Sequence, residues 1–533
     1  MATQRGSEVA VSTWAPLHNT VFRMLWFASL ASNIGTWMQT VGAQWLLVDQ
    51  PNAPTLVALV QTATTLPVFL LAMPAGVLAD TFDRRFLLVA VQAFQVVVGL
   101  VLAVATAAGV MQPPLLLLLT FALGAGSTLT VPAWQALIQD IVPRAQLHSA
   151  SVLGSMNVNL ARAVGPAVAG LLIARAGPAA VFALNAATFG VFGLTLYLTR
   201  PAAASRPADQ PERFLAALRA GQRFVRHSPI GHRIMVRTAL FVVPASALWA
   251  LLPLVASRQL RTDASGYGLL LAALGLGAVL GAFLLPRLAA YLSRNRMLFV
   301  TTMAYTGTMV VLALVRNMPL VLLALVPAGV AWISVMSGVN AAMQVYLPGW
   351  VRARALSAFL IVMSGGQAVG SALWGVMAQG LGLVPTFLAA AALMAAGAVT
   401  IRWLPMTDTA AVDRDPAVYW PEPHLELDPD CGTPVSVEMV YDVPPENQDE
   451  FLRAMRWVRR SRLRTGATSW TLYRAGEDPD RFVETYTVPS WEEHLRQHTG
   501  RLTGADRDRE QRAWSLATGP PQILHLFPAE VAR

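Results

Sequence analysis

The chain has 533 residues, of which 55% are hydrophobic and only 13% charged, with a mean hydropathy of +0.50. A soluble globular protein carries about twice that share of charge, so the composition excludes a water-soluble fold throughout and leaves a membrane protein with a polar appendage. The charges divide the same way, with 24 arginines against 8 acidic residues over 1–405 and 15 against 22 over 406–533.

The net charge of +9 does not argue for nucleic acid, because the arginines of the membrane part, Arg162 apart, fall at the ends of apolar segments. Lysine is absent, a coding bias expected of a GC-rich bacterial genome. The lone Cys431 cannot form an internal disulfide. The first 20 residues have no apolar core, so no cleavable signal peptide is expected.

Apolar segments follow at 22–48, 55–79, 86–109, 113–138, 149–175, 179–198, 234–257, 265–288, 297–316, 318–343, 353–380 and 384–404. Each is long enough to cross about 30 Å of hydrocarbon. They predict twelve transmembrane helices in two bundles, 1–198 and 234–405, joined by a cytoplasmic linker over 199–233. Within it, 211–227 reads as an amphipathic helix lying on the membrane, with Phe214, Leu218 and Val225 on one face and Arg219, Arg223 and Arg226 on another. With both termini cytoplasmic, 19 of the 24 arginines lie inside and Arg175, Arg258, Arg261 and Arg316 outside, as the positive-inside rule requires.

The two halves repeat. Residues 163–170 (AVGPAVAG) align with 368–375 (AVGSALWG), an offset of 205 that also carries Gly76 to Gly281. Parallel six-helix repeats place a substrate site near the midplane between the halves.

A water-accessible route needs polar residues on otherwise apolar helices. The first span carries Ser29, Asn33, Thr36, Thr40 and Gln44 at helical spacing, with Trp37 beside them. Gln61 and Thr65 follow in the second span, Ser155, Asn159 and Arg162 in the fifth, Ser337, Asn340 and Gln344 in the tenth, and Ser364, Gln367 and Ser371 in the eleventh. The alternative for each is that it bonds a neighbouring helix. Arg162 stands out, because a lone arginine inside a span costs about 2.5–3.5 kcal/mol or more unless solvated or paired. Gly165 and Pro166 follow it, where a missing donor and a missing side chain loosen the helix and admit a neighbour. No acidic residue falls inside a span; Asp49 and Asp140 lie at ends. That disfavours a strongly cationic substrate.

Three sets of residues carry a family resemblance. The second apolar segment ends in Gly76-Val77-Leu78-Ala79-Asp80-Thr81-Phe82-Asp83-Arg84-Arg85, which resembles the loop between helices 2 and 3 of the major facilitator superfamily. The GPAVAG run from Gly165 and Pro166 to Gly170 is similar to the helix 5 signature of its antiporters. Residues 22–26 (FRMLW), 32–39 (SNIGTWMQ) and Asn159 with Arg162 resemble the bacterial branch holding the enterobactin exporter and macrolide-efflux-like proteins, the transmembrane secretion effectors. The resemblance covers about 15–405. It implies a multi-pass protein of the bacterial inner membrane exporting an amphipathic siderophore, macrolide-like product or drug by proton antiport and alternating access. Its partners would be the lipid bilayer, the small-molecule substrate and protons. Gly76, Asp80, Asp83, Arg84, Arg85, Gly165, Pro166 and Gly170 would form the conformational switch, with Asp80 and Arg84 bridging helices. The alternatives are an importer on the same fold, or a membrane-tethered enzyme or sensor.

Beyond a linker at 406–432, the domain 433–533 reads as strand 435–443, helix 446–462, strands 468–474 and 482–488, helices 490–498 and 506–516, and strand 522–527. The order βαββαβ is ferredoxin-like. It resembles dimeric domains related to antibiotic-biosynthesis monooxygenases, which implies a homodimer through this domain. His494 and His498 lie one helical turn apart beside Trp491, and His525 is further on. The expectation is a solvated helix face: no metal site, no catalytic residue and no cofactor.

Overall fold

The computed structural model describes residues 12–199, 223–406, 417, 425–427 and 429–529, without the side chains of 73, 77, 79–81, 353 and 354. The predicted helix 211–227 therefore lies outside the described residues except for its last turn, and the linker 406–432 lies largely outside them.

Long helices run from α1 to α11: α1 (Thr20–Leu46), α2 (Ala53–Thr81), α3 (Arg84–Ala107), α4 (Pro113–Ile141), α5 (Leu147–Leu198), α6 (Pro229–Leu254), α7 (Ala264–Ala289), α8 (Arg294–Leu314), α9 (Met318–Tyr346), α10 (Arg352–Leu381) and α11 (Leu383–Val399). Side-chain caps set several starts. Asn19 accepts from the amides of Val21 and Phe22, Asp83 from Phe86, and Asp263 from Ser265 and Gly266. Ten stretches among the described residues are long and apolar enough to cross a membrane. The fourth, Arg144–Leu198, is 55 residues long, about twice what one crossing needs. It is interrupted where Gly177 takes φ 77°, just before Pro178. The 27-residue α1 is not among the ten; its polar stripe lowers its hydropathy.

Two compact units divide the chain. One holds residues of 1–207, 237–338 and 360–405; the other holds residues of 208–236, 339–359 and 406–533. The second unit contains a four-stranded antiparallel sheet of β1 (Val435–Asp442), β2 (Ser469–Arg474), β3 (Arg481–Val488) and β4 (Gln522–Leu526), in the order β2-β3-β1-β4. Helices α12 (Gln448–Thr465), α13 (Trp491–Arg496) and α14 (Gly504–Trp514) complete it. This is the expected βαββαβ order, and strand alternation buries Val435, Val437, Met439 and Tyr441 of β1 with Phe482, Tyr486 and Val488 of β3.

A buried ionic network runs through the same core. Arg462 of α12 is 1% exposed and donates to Glu484 at 3.1 Å and to Glu510. Glu484 also accepts from Tyr441 at 2.7 Å and Trp470 at 2.8 Å. Such a pair persists when its remaining hydrogen-bonding capacity is met. Within this unit Arg464 stacks over Phe224 at 5.5 Å, Arg501 over Trp350 at 4.9 Å, and Ser228 bonds the Tyr346 hydroxyl at 2.6 Å. The final domain therefore packs against residues flanking α6, α9 and α10.

Candidate functional site

In the first unit, Arg162 of α5 meets the first-span stripe. Its guanidinium lies over the Trp37 ring, 5.4 Å from the centroid, and no hydrogen-bond partner for its Nε is found among the described residues. Trp37 lies 6.0 Å from Trp249, which contacts Trp332 edge-on at 5.2 Å. These groups line a small pocket together with Pro166, Leu271, Leu274, Gly275, Ala278 and Gly329. The Trp249 Nε1 donor is also unpartnered among the described residues. The lining holds a cation, three indoles and no carboxylate. It offers hydrogen-bond donors, π faces and positive charge, which suit an anionic or acceptor-rich aromatic group.

Gly165 makes this geometry possible. A Cβ there would stand 2.7 Å from the Trp37 Cβ and 3.0 Å from the Ile34 carbonyl. One turn further, a Cβ at Gly170 would stand 2.6 Å from the Ala264 carbonyl and 3.0 Å from the Gly268 Cα. Helices α5 and α7 thus approach backbone to backbone.

The two helical halves also meet through Gln44. It accepts from the Tyr267 hydroxyl at 2.6 Å and donates to the Trp249 carbonyl at 3.2 Å. Trp45 stacks on Tyr267 at 6.0 Å, and Thr62 donates to the Ala368 carbonyl at 3.0 Å. These contacts join helices of the first unit near the C-terminal end of α1 and in the first half of α2. Toward the N-terminal end of α5, Ser151 and Ser155 are exposed and lead up to Asn159 and Arg162.

The remaining predicted pathway residues fall in different places. Asn33 donates to Asn157 at 2.9 Å, Thr36 and Thr40 bond carbonyls of their own helix, and Asn159 bonds the Ser155 carbonyl. Gln61 and Gln367 are half-buried in α2 and α10. Asn340 and Gln344 bond each other at 2.8 Å on an exposed face of α9, in the second unit. Sequence reasoning missed Asn157, which joins Ser29 and Asn33, and the Gln39–Asn185 pair that ties α1 to α5. It also missed Trp249 and Trp332, whose indoles come together only through tertiary packing.

At the opposite end, Asp83 caps α3, and Arg85 donates to the Leu196 carbonyl at 2.8 Å and to that of Tyr197. Arg84 pairs with Asp140, at 2.7 and 2.9 Å, and with the Ala136 carbonyl at 3.2 Å. Asp80, the partner expected for Arg84, lies outside the residues whose side chains are described, and Gly76 has open space around it. Asp140 is another residue the sequence did not single out.

The histidines of the final domain are not on a solvated face. His494 is 0% and His498 7% exposed, because α13 packs onto the sheet and register places His525 opposite the buried Val437. Trp491 wedges against His494 and His525 at 5.3 and 5.8 Å. Burial, with His498 and His525 adding to it, pushes the His494 pKa down to about 3. Nearby, Glu493 forms a two-pronged pair with Arg501 at 2.6 and 2.9 Å and lies 3.5 Å from Arg223.

The chain matches the model of the transmembrane secretion effector family over residues 11–532. It is 25% identical to the multidrug efflux pump Tap of Mycolicibacterium fortuitum, over 72% of this chain and 95% of that protein. It is 28% identical to the enterobactin exporter EntS of Escherichia coli O1:K1, over 71% and 89%, and 21% identical to the staphyloferrin A transporter of Staphylococcus aureus, over 66% and 88%. Among solved structures, an auto-inhibited POT family peptide transporter superposes with a TM-score of 0.60 at 12% identity, covering 72% of this chain and 96% of its own. An inward-facing bacterial homolog of the lysosomal transporter Spinster gives 0.56 at 16%, covering 73% and 95%; these likenesses bear on the fold alone. The chain belongs to the transmembrane secretion effector family of major facilitator transporters, a family of transporters and not of enzymes.

Proposed function

We propose that this transporter exports an amphipathic small molecule with an anionic or acceptor-rich aromatic group, which docks against Arg162 and the indoles of Trp37, Trp249 and Trp332. The observation that carries the reading is the Arg162 guanidinium over Trp37 at 5.4 Å in a cavity without a carboxylate. The pocket as it stands has room for about one water, about 10 Å³, so the indoles part to admit one arm of the compound. The names of the relatives, efflux pump and siderophore exporter, support export as the direction.

The transport cycle is alternating access between two six-helix halves with twelve crossings. The α1–α7 and α5–α7 contacts are one gate, and the 76–85 loop, with Arg84 on Asp140, belongs to the other. The stripe Asn33, Thr36, Thr40 and Gln44 serves as helix contact in this state and faces the route in the other. Both termini are cytoplasmic, as the arginine bias supports, and protons drive the antiport. The final domain pairs with a second copy through the open face of its sheet, where Leu524 and Tyr473 are 53% and 57% exposed.

The test is efflux from a host stripped of its own exporters, against acidic aromatic chelators, neutral macrolides and cationic dyes. Export of the acidic group, abolished by Arg162→Ala and not restored by Arg162→Gln, is expected. Preferred export of the dyes, or full activity in Arg162→Ala, would overturn the assignment. Accumulation in place of export would reverse the direction, and transport unaffected by a collapsed proton gradient would remove the coupling ion.

A further inference from the structure

The ring nitrogens of His494, His498 and His525 converge. His494 Nε2 lies 3.1 Å from His498 Nε2 and 3.1 Å from His525 Nε2, and all three ligand atoms lie within 4.8 Å of one another. The state of His494 follows from its neighbours. The Thr465 hydroxyl donates to the Ser461 carbonyl at 2.9 Å, so it accepts from Gln497 Nε2 at 3.2 Å. That orients Gln497 Oε1 toward His494 Nδ1, 3.2 Å away. The proton of the neutral ring is therefore on Nδ1, and Nε2 turns its lone pair toward the centre.

One in-plane lone pair cannot serve two donors at hydrogen-bond distance equally well. A single cation between the three nitrogens satisfies all of them. Nitrogens about 2.0–2.1 Å from a tetrahedral metal stand roughly 3.3 Å apart, close to the two observed separations. A ligating histidine held by a hydrogen bond from its second nitrogen is the usual outer-shell arrangement. Trp491 fixes the planes of two of the rings, and the third edge closes by a shift of His525, half-buried on the edge strand β4.

We propose that His494, His498 and His525 bind a divalent transition-metal ion through their Nε2 atoms. Three neutral imidazoles select the zinc, copper and nickel class over calcium or magnesium. Among the described residues no fourth protein ligand joins the three, so one position is left for water or an oxygen donor of a small molecule.

The experiment uses the full-length chain in detergent, carrying an affinity tag without histidine and stripped with a chelator. Titration with Co2+ should give one ion per chain with visible ligand-field absorption of a four-coordinate site, displaced by Zn2+. His498→Gln and His525→Gln should each weaken binding more than about tenfold, while metal-free unfolding temperatures stay as in the wild type. X-ray absorption on the wild-type zinc form gives a readout independent of the folding of any variant and should count three imidazoles. Fewer than three imidazoles, no stoichiometric binding, or unchanged affinity in a folded His498→Gln/His525→Gln double variant would overturn the site.

Discussion

Arg84 and Asp140 each stand against the field of their own helix. Arg84 opens α3, at the positive end of its dipole, and Asp140 lies in the last turn of α4, at the negative end. Each placement costs about 0.3–1 kcal/mol, which offsets much of what the partly buried pair, 22% and 27% exposed, returns. The pair therefore adds little to folding and suits a latch that must open. Arg84→Gln and Asp140→Asn should change melting in detergent by less than about 1 kcal/mol yet slow efflux several-fold. The swap Arg84→Asp with Asp140→Arg should recover part of the rate; normal transport in both single variants would leave an incidental surface pair. At this scale the sequence was partly legible. Arg162 and Trp37 declared themselves because a charge and an indole amid apolar residues need a reason. Asp140, Trp249 and Trp332 did not, since only tertiary packing brings them to their partners.

The gate helices meet where side chains are missing. Gly170→Val would push a branched side chain into the Ala264 carbonyl and Gly268, parting α5 from α7. In a Cys431→Ser background, a reporter cysteine at Ala264, now 1% exposed, should then react faster with a membrane-impermeant maleimide. An unchanged rate would show that this contact does not close the gate. In the final domain, burial holds His494 near pKa 3 against an unfolded value of about 6.5. The unfolded chain takes up that proton first, so the stability is whole above about pH 6.5 and declines toward pH 3. Asp506 works lower: burial opposes its charge, but Arg464 and Thr503 hold its pKa below the ordinary value, and its contribution fades below about pH 4. Proteolysis of the final domain in the metal-free full-length protein should thus accelerate below pH 6 and again below pH 4; a flat profile would contradict the burial of His494. Element order in this domain was readable because Pro444, Pro445 and the 477–480 turn punctuate alternating strands. The histidine cluster was not, because β4 brings His525 beside His494 from 31 residues away.

For the whole molecule, arginine bias and domain packing lead to separable tests. Cys431 is exposed, and with the C-terminus cytoplasmic it should resist an impermeant thiol reagent added outside intact cells; efficient labelling would invert the proposed topology. A chain ended after Asp408 should still insert and transport, at a reduced rate, because the cavity lining lies within the first unit. Complete loss would make the final domain obligatory. The repeat was legible through its offset of 205, whereas the seating of Arg464 and Arg501 on Phe224 and Trp350 needed the fold, since stacking partners leave no periodic signal. The indoles at the cavity also have an optical consequence. Chromophores as close as Trp37, Trp249 and Trp332, at 6.0 and 5.2 Å, share their excited states and give a paired band in ultraviolet circular dichroism whose sign and size follow their mutual angle. Any cargo that slides between Trp37 and Trp249 rewrites that band, so the unlabelled transporter carries its own spectroscopic gauge of occupancy.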